Sequence, residues 1–365
     1  MKANQSRQSP AGWEESAALL PQAGRDLPVG RHQFHKERLM AHIHQDIQRE
    51  EPLAATGPGR PKNQGFRLPR LAIALPVAAA LAVVGAVVAG SALSGTAGSE
   101  VAGPALTTQI GTPTTKGAAH LLEQISLVAA EGSRPTMKPG QYVYIESQAA
   151  ATYVRDVDDK SSLAGQPLHK RQTWRSADGA KGWLIDPAVN KSPEGETLSL
   201  PDEHGHPYKA SLNGPSYDYL ATLPTDPDQL LQLIYKQTKG MGNSPDQEAF
   251  TTIGDLLTES YPPVELYSAL FKAAAKIPGV VVVDRAQDAI GRTGVAVARL
   301  DETSGERQEW IFDKKTHVFL GERSVQVKEV IQSGVTEKPG TVWFTSAVTR
   351  RAIVDRIKQT PGGSA

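Results

Sequence analysis

The chain has 365 residues, with 39 Lys+Arg balanced by 39 Asp+Glu, so its formal net charge is zero, which argues against a globally basic nucleic-acid binder and leaves only a local basic patch open. It contains no cysteine, which removes disulfides, thiol nucleophiles, iron–sulfur clusters and cysteine zinc sites together. An apolar share of 39%, before its 33 glycines are counted, is enough to build a real core.

In chain order, residues 1–26 are polar and rich in Pro, Gly and Ser. Residues 31–50 then predict a short amphipathic helix. Leu39, Ile43 and Ile47 follow at four-residue spacing, Phe34 lies on the same repeat, and Pro52 stops the helix. An isolated helix of this length is marginal in water, and its segment offers nothing for the stripe to bury against. Leu39, Ile43 and Ile47 are therefore read as a docking face for a cytoplasmic partner, with the inner membrane surface, or no partner at all, as the competing readings.

Residues 71–93 carry no charge over 23 positions, which as a helix span roughly 34 Å, enough for a hydrocarbon core of about 30 Å. Arg60, Lys62, Arg67 and Arg70 crowd its N-terminal flank, whereas the first basic residue beyond it is Lys116. The positive-inside rule then predicts a single transmembrane helix in the cell membrane, with residues 1–70 cytoplasmic and the C-terminal part extracytoplasmic. A cleaved leader is the alternative, because Gly90-Ser91-Ala92 imitates a cleavage site; the 70 residues upstream argue against it. The lipid bilayer is thus the first expected partner.

Residues 94–115 read as a charge-poor tether, 116–347 as an extracytoplasmic domain and 348–365 as a basic, weakly helical tail. Within the domain, Leu121, Leu122, Ile125 and Val128 mark a helix, and residues 141–151 alternate as a strand. Residues 171–176 and 181–186 predict a hairpin around Asp178-Gly179. A long loop follows over 187–216, then helices opening at Asp226-Pro227, over 249–258 and over 263–277. Strands return over 280–284, 294–300, 307–313, 318–327 and 341–348. Grouped strands joined by short turns predict an α+β class, an antiparallel sheet covered by helices.

Signs of chemistry are few. His204 and His206, beside Asp202 and Glu203, could approach a metal, but no third histidine is near and the segment reads as a solvated loop, so no metal or other cofactor is expected. No G-x-S-x-G, Walker A or post-strand G-x-G-x-x-G motif occurs, and Asp255, Glu259 and Glu265 on the predicted helices read as solvent-facing. The chain is expected not to be an enzyme, with an envelope hydrolase as the least favoured alternative. Trp174, Trp183 and Trp310 each fall in a strand. Three helices covering one sheet face incompletely would leave an apolar cleft beside these rings, the expected ligand site.

Several stretches carry a resemblance: LPVGRHQFHKERLMAHI before the apolar run, then YDYLATLPTDPDQLLQLIY, AFTTIGDLL, LYSALFKAAAKIPGV, DAIGRTGVAVAR and EWIFDKKTHVFLGER. Together they resemble uncharacterised actinobacterial single-pass membrane proteins associated with extracytoplasmic-function sigma factors. The layout is similar to that of anti-sigma proteins, and the external part is similar to the lipoprotein-carrier and sigma-regulator fold, a half-barrel of antiparallel strands closed by helices. The resemblance implies a membrane-anchored regulator with a sigma factor or other cytoplasmic partner, and a lipid or peptide ligand outside. An anchored carrier without signalling is the alternative. The family's catalytic residues are none. The His-x-x-x-Cys-x-x-Cys zinc motif of many anti-sigma domains is missing here.

Overall fold

The computed structural model describes residues 103–132, 136–157, 160–190, 192–198, 208–332 and 335–362. The docking stripe Leu39, Ile43 and Ile47, the apolar run 71–93 and the His204/His206 loop all lie outside the described residues. Among the described residues no helix is long and apolar enough to cross a membrane.

The described chain opens with two short strands, β1 (Gly103–Pro104) and β2 (Pro113–Thr114), and a helix, α1 (Ala118–Glu131). An antiparallel run follows: β3 (Tyr142–Val157), β4 (Lys160–Gly165), β5 (His169–Ser176), β6 (Gly182–Ile185) and β7 (Glu196–Thr197). Four helices come next: α2 (Tyr217–Ala221), α3 (Pro227–Gln237), α4 (Pro245–Glu259) and α5 (Val264–Ala274). The second strand run is β8 (Val280–Gln287), β9 (Thr293–Asp301), β10 (Glu306–Phe312), β11 (Phe319–Gln326), β12 (Val330–Gln332), β13 (Val335–Glu337) and β14 (Val342–Val354).

Local chemistry explains these elements. The β5–β6 turn closes through Asp178, whose Oδ1 accepts from Ser176 Oγ at 2.6 Å and Ala180 N at 3.0 Å. Gly179 sits there at φ +77°, a left-handed conformation that favours glycine. Asp226 and Ser244 cap α3 and α4 with their side-chain oxygens, each followed by a proline in the first turn.

All strands except β12 and β13, which form their own hairpin, join one 12-stranded sheet. Its main path runs β2-β8-β9-β10-β11-β14-β3-β5-β6-β7, with β4 branching from β3 and β1 pairing with β4. Every pairing is antiparallel. The mixed architecture expected from grouped strands and grouped helices is present. β14 joins the two strand runs, pairing β11 on one side and β3 on the other. The centre of the sheet is thus built from segments about 200 residues apart.

Helices pack on one sheet face. Leu230, Ile234, Phe250, Ile253, Leu256, Leu257, Leu270 and Phe271 meet Val297, Trp310 and Phe312 in the principal core. A separate cluster of Val283, Ala296, Ala298, Ile311 and Leu320 lies on the alternate positions of the same strands.

Two boundaries differ from expectation. The segment read as a tether is laced into the sheet: β1 pairs β4, Thr107 bridges Thr341, and β2 pairs β8. Pairing of this kind uses backbone donors and acceptors, so a Gly/Thr/Pro segment without apolar periodicity can supply it. The segment read as a weakly helical basic tail begins as strand. β14 runs to Val354, with Ala352 opposite Tyr144 and Ile353 opposite Val143. Its charges do not break the strand, because one bulge near Thr349 resets the alternation.

Candidate functional site

The helix-covered face can be followed by register. Trp310 on β10 lies opposite Glu322 on β11, Glu322 opposite Ser346 on β14, and Ser346 opposite Ala149 on β3. Paired residues share a face, so this row runs beneath the helices. Trp310 is fully buried and stacks on Phe250 of α4, with ring centroids 3.8 Å apart and planes within 4°. Gly254 makes the approach possible, because a Cβ there would fall against Trp310 Nε1.

Beside this stack the interface is polar. Glu248, Thr252, Asp255 and Glu259 follow one stripe of α4 at four-, three- and four-residue spacing. Glu322 is 7% exposed, and its Oε2 has no hydrogen-bond partner. Asp255 keeps some surface at its edge, but its Oδ2 is closed to solvent and also has no partner. Burial, then the negative charge of Glu259, pushes Glu322 up to about 8, against the pull of Thr258 and Gln308 toward its charged form. Burial and the charges of Glu322, Glu259 and Glu248 raise Asp255 well above the usual carboxylate range. The sequence places Asp255 on the solvent side of its helix; the structure turns it toward the sheet, because α4 is covered on both sides.

The C-terminal end of α4 forms one wall of a shallow cleft, whose empty space of about 330 Å³ includes open solvent at its mouth. Val143 and Ile145 of β3 and Thr173 and Arg175 of β5 make its floor, while Ser216, Tyr217, Leu220, Glu259 and Tyr261 rise around it. The capping hydrogen bond of Ser216 Oγ from Tyr219 N, 3.1 Å, sets α2 at the rim. Apolar floor, two phenol rings, one guanidinium and one carboxylate are the makings of a site for a small amphipathic molecule. Neither Asp255 nor Glu322 lines it.

The three predicted tryptophans do not converge. Trp310 lies on the helix-covered face, away from the cleft lining. Following the unbroken β3–β5 register from Ala149–His169 to Tyr144–Trp174 puts Trp174 on the opposite face, with Trp183 beside it. There they pack with Tyr144, Val354 and Ile357. The residues after β14 cover them: Trp174 Nε1 donates to Gln359 O at 2.7 Å, and Lys358 Nζ stands 3.9 Å from the Trp183 ring centroid. The strand periodicity of two was visible in the sequence, but relating the β10 alternation to that of β5 needs four successive pairings, through β11, β14 and β3.

The opposite face also carries a buried charge triad. Glu309 accepts from Arg307 Nε at 2.8 Å and from Arg323 Nε at 2.7 Å, and all three residues are nearly inaccessible. The first segment closes over them: Arg323 Nη1 donates to Thr108 Oγ1 at 2.9 Å and Arg307 Nη2 to Gly111 O at 3.1 Å. Among the described residues, no group of three or more His, Asp or Glu is placed to hold a metal ion.

Sequence reasoning missed the cleft residues Thr173, Arg175, Tyr217, Glu259 and Tyr261. The one available signal was the α4 spacing, where carboxylates recur on a helix that also carries Phe250, Ile253, Leu256 and Leu257. No protein-family model matches the chain, and no curated protein matches it.

Proposed function

We propose that the domain recognises a small amphipathic ligand without transforming it, and that the whole chain is a membrane-anchored regulator. The observation that carries the first half is the cleft between β3, β5, α2 and the end of α4, with Val143, Ile145 and Arg175 in its floor and Glu259 in its wall. Most of its empty space of about 330 Å³ is open to solvent, so it is a shallow surface cleft and not an enclosed pocket of the kind that buries a whole ligand. That suits the end of an alkyl chain or a single peptide side chain laid across the floor, with the rest of the molecule outside. Binding is favoured over catalysis because the carboxyls held high, Glu322 and Asp255, stand outside the cleft lining, where no substrate atom reaches them. A curved half-barrel that holds a lipid or peptide against its helices is the finer form of this reading.

The regulator half rests on the sequence: the apolar run 71–93, the basic flank Arg60, Lys62, Arg67 and Arg70, and the stripe Leu39, Ile43 and Ile47. A cytoplasmic sigma factor is the partner that the resemblance suggests. Cell-membrane location, with the domain outside, belongs to the same proposal. An anchored carrier shares the cleft and lacks the docking stripe's role.

Dodecanoate titrated into the detergent-purified full chain tests the ligand reading. Binding should raise the melting temperature with saturation. Thr173→Trp, which fills the floor with an indole, should weaken binding at least tenfold. Absence of binding, or equal binding by this variant, overturns the assignment of the cleft.

A further inference from the structure

The buried carboxyls under α4 have no part in the cleft, yet they are the most costly feature of the helix-covered face. Glu322 lies between Trp310 and Ser346 in register, and Thr252 of α4 stands one turn before Asp255. Three side chains around the pair carry buried polar atoms without a hydrogen-bond partner, Trp310 Nε1, Ser346 Oγ and Thr252 Oγ1, and so do both members, at Glu322 Oε2 and Asp255 Oδ2. A native interior seldom leaves such groups orphaned. These donors serve a carboxylate as readily as an acid, so it is burial on a stripe shared with Glu248 and Glu259 that favours the protonated form.

We propose that Glu322 and Asp255 form a proton-controlled latch beneath α4: protonated, they seat the helix on the sheet, and deprotonation loosens it. The latch holds whether or not the cleft takes a ligand.

The surroundings fix the direction. On α4 itself, Glu248 and Glu259 add negative charge. On β10 the neighbours are Gln308 and Trp310, both uncharged. On β14 they are Ser346 and Arg351, and the Arg351 guanidinium engages the carbonyls of Leu257 and Thr258 and lies 5.4 Å from the Phe319 ring. On β9, Arg299 serves the opposite end of the helix, donating to Gln247 Oε1 at 2.7 Å and standing 3.8 Å from Asp246. Charging either member of the pair therefore places it in a desolvated site beside other carboxylates, and like charges there repel. α4 is the element free to respond, since β11 is hydrogen-bonded on both sides by β10 and β14. Its C-terminal end carries Glu259, Ser260 and Tyr261, three lining residues of the cleft. Loosening the helix consequently widens that cleft.

The sign is that of an acid held high. The fold keeps a proton that the unfolded chain gives up. Stability is full below the ordinary carboxylate range and declines as pH rises toward the value at which Glu322 finally ionises.

Hydrogen exchange of residues 245–259 in the full chain, corrected for the intrinsic pH dependence of exchange, tests the latch between pH 5 and 9. Protection should fall at least tenfold more in α4 than in β3 across that range. Glu322→Gln keeps the shape without the charge, and most of this excess should vanish; Asp255→Asn should act in the same direction. Equal pH dependence in α4 and β3 of the wild type overturns the proposal, and does so even if neither variant folds. An excess that persists undiminished in both variants overturns it too.

Discussion

Replacing Glu309 by Gln removes one negative charge from between two buried guanidiniums. Its contacts with the two arginines, 2.6 Å from Arg307 Nη2 and 2.8 Å from its Nε, and 2.7 Å from Arg323 Nε, are charge-assisted. Hydrogen bonds to charged groups contribute about 1.5–3 kcal/mol each, so counted once per arginine they account for roughly 3–6 kcal/mol. Breaking a buried ion pair by deleting one partner costs about 3–5 kcal/mol by a separate route, because the remaining charge is stranded. The two figures agree, and stabilities of whole domains are only about 5–15 kcal/mol. The variant should therefore lose about 3–5 kcal/mol in urea unfolding followed by circular dichroism. An exposed pair supplies the control. Lys328 Nζ lies 2.6 Å from Glu302, as close as the shortest triad contact, but the two side chains are 51% and 76% exposed. Lys328→Ala should change stability by less than about 1 kcal/mol, since water already solvates both partners. Replacing the whole triad (Arg307→Met, Glu309→Leu, Arg323→Met) should recover most of the loss, because no buried charge is then left unpaired. A loss below about 1 kcal/mol for Glu309→Gln would refute the reasoning, and would mean that water reaches the triad beneath residues 108–111.

Gly254→Ala sets two effects against each other. Alanine gains about 1 kcal/mol of helix propensity, but the added methyl meets a Trp310 ring already pinned by Phe250, and overpacking costs about 1–3 kcal/mol. A net loss is expected in thermal unfolding, and a gain would show that the stack yields. Ile43→Asp would place a carboxylate in the proposed cytoplasmic docking stripe, at a cost of several kcal/mol to any apolar interface. Co-purification of a partner with the full chain should fall at least tenfold, and unchanged recovery would remove the stripe from the argument.

The sequence alone determined the longer helices and most of the longer strands. Leu121, Leu122, Ile125 and Val128 repeat at helical spacing, and residues 118–131 are helical. Asp226-Pro227 and Asp178-Gly179 signal a helix start and a tight turn, and both are present where expected. Such signals lie within a few residues of each other, so they need no knowledge of distant chain. Antiparallel pairing also followed, because the turns are too short for crossovers.

Tertiary structure decided what those elements face. Thr107 bridges Thr341 and β14 pairs β3, contacts that no local pattern announces. A low-complexity segment thereby becomes part of the sheet, and a basic tail becomes a strand with a covering loop over Trp174. Burial of Asp255 depends on β11 lying beneath α4, and the separation of Trp174 from Trp310 depends on the register through β11, β14 and β3. The cleft has the same origin. Its floor comes from β3 and β5 and its walls from residues 215–220 and 259–261, and only packing brings those distant pieces of chain to one place, since side-chain type specifies what can be buried but not beside what.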